Sequence, residues 1–215
     1  TGNGTAEGYK LAMPIGWIQS FDISNLGNDQ EQYRWGIMAS NQRDPDDYSS
    51  IIALGKTFSM NGKQLEENAP LVMDVDEWAR LFALQMLCGV ADVYTIENPH
   101  NLGLLVRPSD GKVLATQNDW SFYFNLAPNN PLIGIQILSK IFTLPVYKRI
   151  YYGHFVDLMN TVFNRAYINR WAQHYGDVAG ESFTGAMSYV TDRTAGVKAL
   201  LPAKIPFDIT SNRSE

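Results

Sequence analysis

Between residues 74 and 116 the apolar residues change their period, and that change constrains the fold more than any other feature of the chain. Val75, Trp78, Phe82 and Met86 recur at steps of three and four, which places them on one face of an α-helix. Asp74 precedes the run and Glu77 follows three residues later, an acidic variant of the capping box, so the pattern predicts a helix over about 75–88. Beyond Asp92, residues 102–106 and 112–116 read as two extended runs flanking the turn sequence Pro108-Ser109-Asp110-Gly111. A helix followed by a β-hairpin, in a chain otherwise rich in helical spacing, gives an α+β class that is mostly helical.

The rest of the chain supplies further helices. Residues 33–40 read as a short helix, and Asp44-Pro45 opens a second by placing an acid before a proline at the first helical position, with Ile51, Ile52 and Phe58 as its apolar face. Residues 133–142 predict another. Pro145 starts one in which Tyr151, Phe155, Leu158 and Val162 continue the helical spacing, extending toward Tyr175. Gly176 reads as its stop and Gly180 as a loop, before a last helix over 181–192 and an extended tail from Pro202.

Composition narrows the function classes. The chain has 215 residues, 45% hydrophobic and 18% charged, enough apolar material for one compact core. A net charge of -5 argues against a nucleic-acid surface, which needs clustered Lys and Arg. No apolar run approaches the roughly 18 residues that span a bilayer. The single cysteine, Cys88, lies among Met86, Leu87 and Val90 and reads as a small core residue. Gly2, Gly4 and Gly8 miss the spacing of a phosphate-cradling GxGxxG loop, since Glu7 stands where its third glycine is needed, so the opening segment reads as a connector.

Three polar residues punctuate the hairpin region: Asp92 after the helix, Asn101 entering the first strand, and Asp119 just past the second. A proton acceptor and two oxygen ligands are the set that magnesium-dependent phosphoryl transfer uses. Antiparallel pairing brings the two ends of the hairpin together, which makes a site shared by Asn101 and Asp119 geometrically reasonable. Each residue also has an ordinary reading. Asp92 suits a helix-end turn, Asn101 a strand-entry residue bonding its own backbone, and Trp120 and residues 122–124 read as core.

Short words around these residues follow in a fixed order: Asp76-Glu77-Trp78-Ala79-Arg80-Leu81-Phe82-Ala83-Leu84, Gly89-Val90-Ala91-Asp92, His100-Asn101, Gly111-Lys112-Val113-Leu114 and Asp119-Trp120. With Tyr33-Arg34-Trp35, Asp46-Asp47-Tyr48, Tyr151-Tyr152-Gly153-His154 and Arg170-Trp171, the order from about Asp29 to Tyr175 resembles the CotH family of atypical kinases first known from bacterial spore coats. The resemblance implies the larger, C-terminal lobe of a protein-kinase-like fold, with the hairpin carrying a metal site. It divides the chain into a connector from an upstream nucleotide-binding lobe (1–28), the lobe itself (29–201) and an extended tail (202–215). It also implies ATP and Mg2+ as cofactors, a protein hydroxyl as acceptor, and a protein substrate or coat or surface protein as partner. The family's spore-coat and secreted members point to an extracytoplasmic or surface location.

Residue by residue, the resemblance makes Asp92 the catalytic acid that accepts or orients the substrate hydroxyl proton. His100 and Asn101 become cofactor-binding residues, and Asn101 and Asp119 magnesium ligands. The Asn lies nine residues after the acid, against five in ordinary protein kinases. The family pattern Pro-Trp-Asp-x-Asp is reduced here to Gln117-Asn118-Asp119-Trp120-Ser121, so Gln117 or Ser121 stands where a second acid is expected. Loss of one carboxylate lowers the charge available to magnesium, and the alternative reading is a catalytically degenerate binding module.

Overall fold

A computed structural model describes residues 7–11, 23–40, 46–91, 93–94, 101–121, 123–134 and 139–203. The fold is α+β: a small four-stranded antiparallel sheet stands against a mostly helical body. The strands are β1 (Glu7–Leu11), β2 (Ile37–Ser40), β3 (Leu102–Val106) and β4 (Val113–Gln117), in the order β2-β1-β3-β4. The helices are α1 (Glu31–Arg34), α2 (Ser49–Ser59), α3 (Gly62–Val72), α4 (Val75–Cys88), α5 (Ser139–Thr143), α6 (Pro145–Thr161), α7 (Arg165–Ala179) and α8 (Thr184–Leu200).

α4 is the axis of the core. Asp74 caps it by accepting the Glu77 N–H at 3.2 Å, and Gly89, at φ 59°, closes it in the left-handed conformation. Trp78, Phe82 and Met86 are buried as the spacing requires. Rings then propagate the packing outward. Phe58 meets Trp78 at 6.1 Å, Trp78 meets Phe82 at 5.8 Å, Phe82 meets Phe142 at 6.0 Å and Phe142 stacks on Tyr151 at 4.5 Å. Such offset and edge-on pairs add about 0.5–1.5 kcal/mol each to the burial of their surface.

The start of α4 also covers the outer edge of β4. Val113 O accepts both the Asp74 N–H at 3.2 Å and the Trp78 indole N–H at 2.8 Å, while Glu77 Oε2 accepts the Ala115 N–H at 3.0 Å. The backbone groups that a strand edge leaves unpaired are thus met by a helix and its side chains. Burial pushes the Glu77 carboxyl up to about 7, and the Ala115 N–H, which favours the ionised form, only partly opposes it. Arg107 ties the far end of the hairpin to the same helix, reaching Asp74 at 2.7 Å and Asp110 at 2.6 Å.

Several boundaries differ from the sequence expectation. Residues 33–40 are not one helix. α1 ends before Gly36, and Ile37–Ser40 extends as β2 because β1 is there to pair with it. The second helix begins at Ser49 rather than at Asp44-Pro45, with Asp47 Oδ1 receiving the Ser49 N–H at 2.9 Å; Asp44 and Pro45 lie outside the described residues. Ile133 and Gly134 are not helical, and the described helix of that region is Ser139–Thr143. The helix from Pro145 stops at Thr161, because Asn164 turns the chain and caps α7 by accepting the Tyr167 N–H at 2.9 Å. Gly176 is an interior, buried residue of α7, and the left-handed stop is Gly180. The last helix begins at Thr184 and runs on to Leu200.

The opening segment contributes β1, an interior strand bonded to β2 on one side and β3 on the other. Its Tyr9 is buried and donates its hydroxyl to Asp47 O at 2.5 Å. No described helix is long and apolar enough to cross a membrane.

Candidate functional site

The hairpin sets the positions of Asn101 and Asp119. Leu102 pairs with Gln117, Leu104 with Ala115 and Val106 with Val113, so Leu102, Leu104, Val113 and Ala115 bury one face against the core. Beyond the last pair the ladder continues by one bond, from Asn118 N–H to Asn101 O at 3.0 Å. Asp119 is the next residue after that bond. Asn101 has φ 57°, a left-handed conformation that Asn tolerates better than most residues and that sets the start of β3. Gly103 is required opposite Thr116, since a Cβ there would stand 2.3 Å from its hydroxyl oxygen.

Asp119 is exposed and folds its carboxylate back on its own turn, with Oδ1 accepting the Ser121 N–H at 2.8 Å. Ser121, one of the two positions where the CotH resemblance calls for a second acid, therefore contributes a backbone donor. Gln117, the other candidate position, donates its amide to Asp119 O and accepts from Gln85 Nε2 at 2.6 Å. Gln85 is wholly buried on α4. A relay of two glutamines thus fixes the Asp119 backbone to the central helix.

The chain then turns back toward the end of α4. Phe124 N–H donates to Cys88 O at 2.7 Å, and the Asn125 and Leu126 N–H groups share Gly89 O at 3.0 and 3.2 Å. The segment leaving Asp119 is in this way joined to Cys88 and Gly89, three to four residues before position 92. Arg193, buried on α8, adds a second tie: its Nε donates to Met86 O at 3.0 Å and its Nη1 to Pro128 O at 2.8 Å and Asn130 O at 3.0 Å. Its partners are backbone carbonyls, including one in the last turn of α4, where the helix dipole favours a cation.

Asp92 and His100 lie outside the described residues. Around position 92, Val90, Val93 and Tyr94 are buried, and beside position 100 Asn101 is half-buried. Among the described residues no three His, Cys, Asp or Glu side chains gather as a metal centre. The donors at the hairpin ends are one carboxylate and one amide oxygen, which matches magnesium in type: it binds through one or two carboxylates and completes its shell with substrate phosphates and water.

No family model and no curated protein matches the chain.

Sequence reasoning passed over Gln85 and Arg193. Gln85 sits three residues beyond Phe82, inside the apolar stripe of α4, and a polar residue on a buried face was the available signal. Arg193 carried none, because its acceptors are backbone carbonyls more than 60 residues away. Trp120 and Tyr123, read as core, are exposed, at 38% and 59%. The segment that bears them runs as turns rather than as a strand with a buried face. Tyr151 is core as expected, and His154 meets Asp76 Oδ1 at 2.9 Å.

Proposed function

We propose that this chain is the larger lobe of a CotH-like atypical kinase, which transfers the γ-phosphoryl group of Mg-ATP to a protein hydroxyl. The observation that supports the reading is the double closure around the hairpin. Asn118 is bonded to Asn101 at the base of the strands, and residues 124–126 are bonded to Cys88 and Gly89, just before Asp92. In the reading, Asp119 and Asn101 would hold magnesium, which would supply charge neutralisation at the phosphate oxygens, and Asp92 would receive or orient the hydroxyl proton. His100 belongs to the nucleotide side, and an upstream lobe supplies the cation that grips the phosphates.

The test uses a fluorescent ATP analogue titrated with and without Mg2+ against a chain extended upstream of Thr1. Magnesium-dependent binding should weaken by about tenfold or more in Asp119→Asn, a loss of roughly 1.4 kcal/mol. Binding that ignores both magnesium and Asp119→Asn rejects the reading. Efficient ATP-dependent labelling of a protein substrate by residues 1–215 alone rejects the assignment of the phosphate grip to an upstream lobe.

The alternative is a degenerate member that binds a surface or coat protein without turnover. It is favoured by one observation: Gln117 is engaged with Gln85 and Asp119, and Ser121 gives only its N–H, so neither position brings a second carboxylate. Ser121→Asp in the extended chain should then increase magnesium-dependent nucleotide binding over the parent. A parent that already transfers phosphate efficiently removes this alternative.

A further inference from the structure

Away from the hairpin, an open cleft of about 280 Å³ runs between α7 and the start of α8. One wall carries Arg165, Asn169, Gln173 and Asp177. They lie at successive steps of four along α7, a single ridge of the helix surface. Glu181 and Phe183 stand on the other wall. None of the four ridge side chains is hydrogen-bonded or ion-paired to another described residue.

We propose that this cleft binds an extended peptide segment of another protein, with an acidic group seated at Arg165 and a basic side chain seated at Asp177 and Glu181. Three features of the ridge select that occupant. Asn and Gln amides each present an acceptor and two donors, the complement of a peptide unit's N–H and C=O. Their one-turn spacing rises about 6.0 Å along the helix, close to the roughly 6.7 Å that separates alternate residues of an extended strand. Asn169 and Gln173 can therefore engage alternate peptide units of one strand. The charges at the two ends are opposite in sign and lie about 18 Å apart along the axis, the length of about five extended residues.

The same arrangement disfavours other ligands. A nucleic-acid strand would set phosphates against Asp177 and Glu181. A neutral glycan would leave the three charged groups without a partner. Phe183, partly exposed on the opposite wall, offers an apolar seat for one side chain between the ends.

A fluorescent octapeptide with aspartate and lysine five residues apart, the same peptide with the two charges exchanged, and an all-serine control are titrated against the 215-residue chain by anisotropy. The matched orientation should bind at least about tenfold more tightly than the exchanged one, and Asn169→Ala with Gln173→Ala should lower that affinity about tenfold or more. In the triple charge reversal Arg165→Asp with Asp177→Arg and Glu181→Arg, preference should pass to the exchanged peptide. The ridge residues are exposed or half-buried, so an unchanged circular dichroism melt separates lost binding from lost fold. Equal binding of the three peptides, absence of saturable binding by any of them, or affinity unaffected by the amide substitutions overturns the proposal. Saturable binding of a labelled oligonucleotide or a neutral oligosaccharide to this cleft instead of the peptides also overturns it.

Discussion

α4 and α7 are built to the same local plan. They have 14 and 15 residues, each is capped by a side-chain oxygen, of Asp74 or Asn164, and each ends on a left-handed glycine, Gly89 or Gly180. Yet α4 buries eight of its residues and α7 only Gly176. Aromatic side chains show the contrast most clearly. Trp78 is fully buried, whereas Tyr167, Trp171 and Tyr175 form a file on the outside of α7, with Trp171 at 42% exposure and Tyr175 at 56%. Capping chemistry fixes where a helix begins and ends. What it buries depends on elements distant in sequence, here β4 and α6 for α4.

The sharpest break of the comparison is to remove one indole from each helix. Trp78→Ala should cost about 3–5 kcal/mol, because it empties a ring-lined site and strips a hydrogen bond from Val113 O. Trp171→Ala should stay within about 0.5 kcal/mol of the parent. Urea unfolding followed by circular dichroism distinguishes the two, and similar losses would show that the outer file is covered in solution.

The two terminal glycines give a smaller contrast. Gly180→Ala meets nothing within 4 Å, so its penalty is the left-handed backbone alone, about 1 kcal/mol. At Gly89 the added Cβ would lie 1.8 Å from the Tyr189 hydroxyl oxygen, on a ring stacked against Phe124 at 4.6 Å. Gly89→Ala should therefore cost about 2 kcal/mol or more, and pairing it with Tyr189→Phe should recover part of that loss in the same urea assay.

The smallest effect concerns charge. α4 carries a half-buried acid, Glu77, whose carboxyl is raised from 4.5 to about 7 by its partial burial. At Glu77 the folded chain then binds more protons than the unfolded chain between those values, so this group's contribution to stability is fully present below about 4.5 and is lost as pH rises through about 7. Other acids act in the opposite sense: Arg107 holds Asp110 down to about 2, a contribution lost only in stronger acid. Glu77→Gln should flatten the melting temperature between pH 5 and 8, by about 2–4 °C if the contribution is near 1 kcal/mol. An unchanged pH profile in the variant would assign the slope to other groups.

How much of this was legible beforehand follows the same division between local and distant causes. The limits of α4 could be read from Asp74, Glu77 and Gly89, and the hairpin from its turn sequence and two apolar runs. The break at Asn164 was also written locally, but in a segment where Asn160 and Asn169 compete for the same role, and a continuous helical spacing hid it. β1 and β2 were not legible as a pair: each is four or five residues long, and their register, Tyr9 to Ala39, joins positions some thirty residues apart. The nearness of Asn101 and Asp119 along the chain's fold was legible because a hairpin brings its own ends together. Gln85, Gln117 and Arg193 act through partners on other elements, which no spacing rule announces.

The cover that α4 places over β4 gives the sheet a direction. With Val113 O and Ala115 N–H already taken, a visiting strand finds no ladder to join on that side. Among the described strands, β2 is the outermost on the other side, and it presents an exposed Met38 beside Trp35. Addition of a strand on the β4 side of this sheet is therefore blocked by its own central helix, with no loop or partner needed to guard that edge.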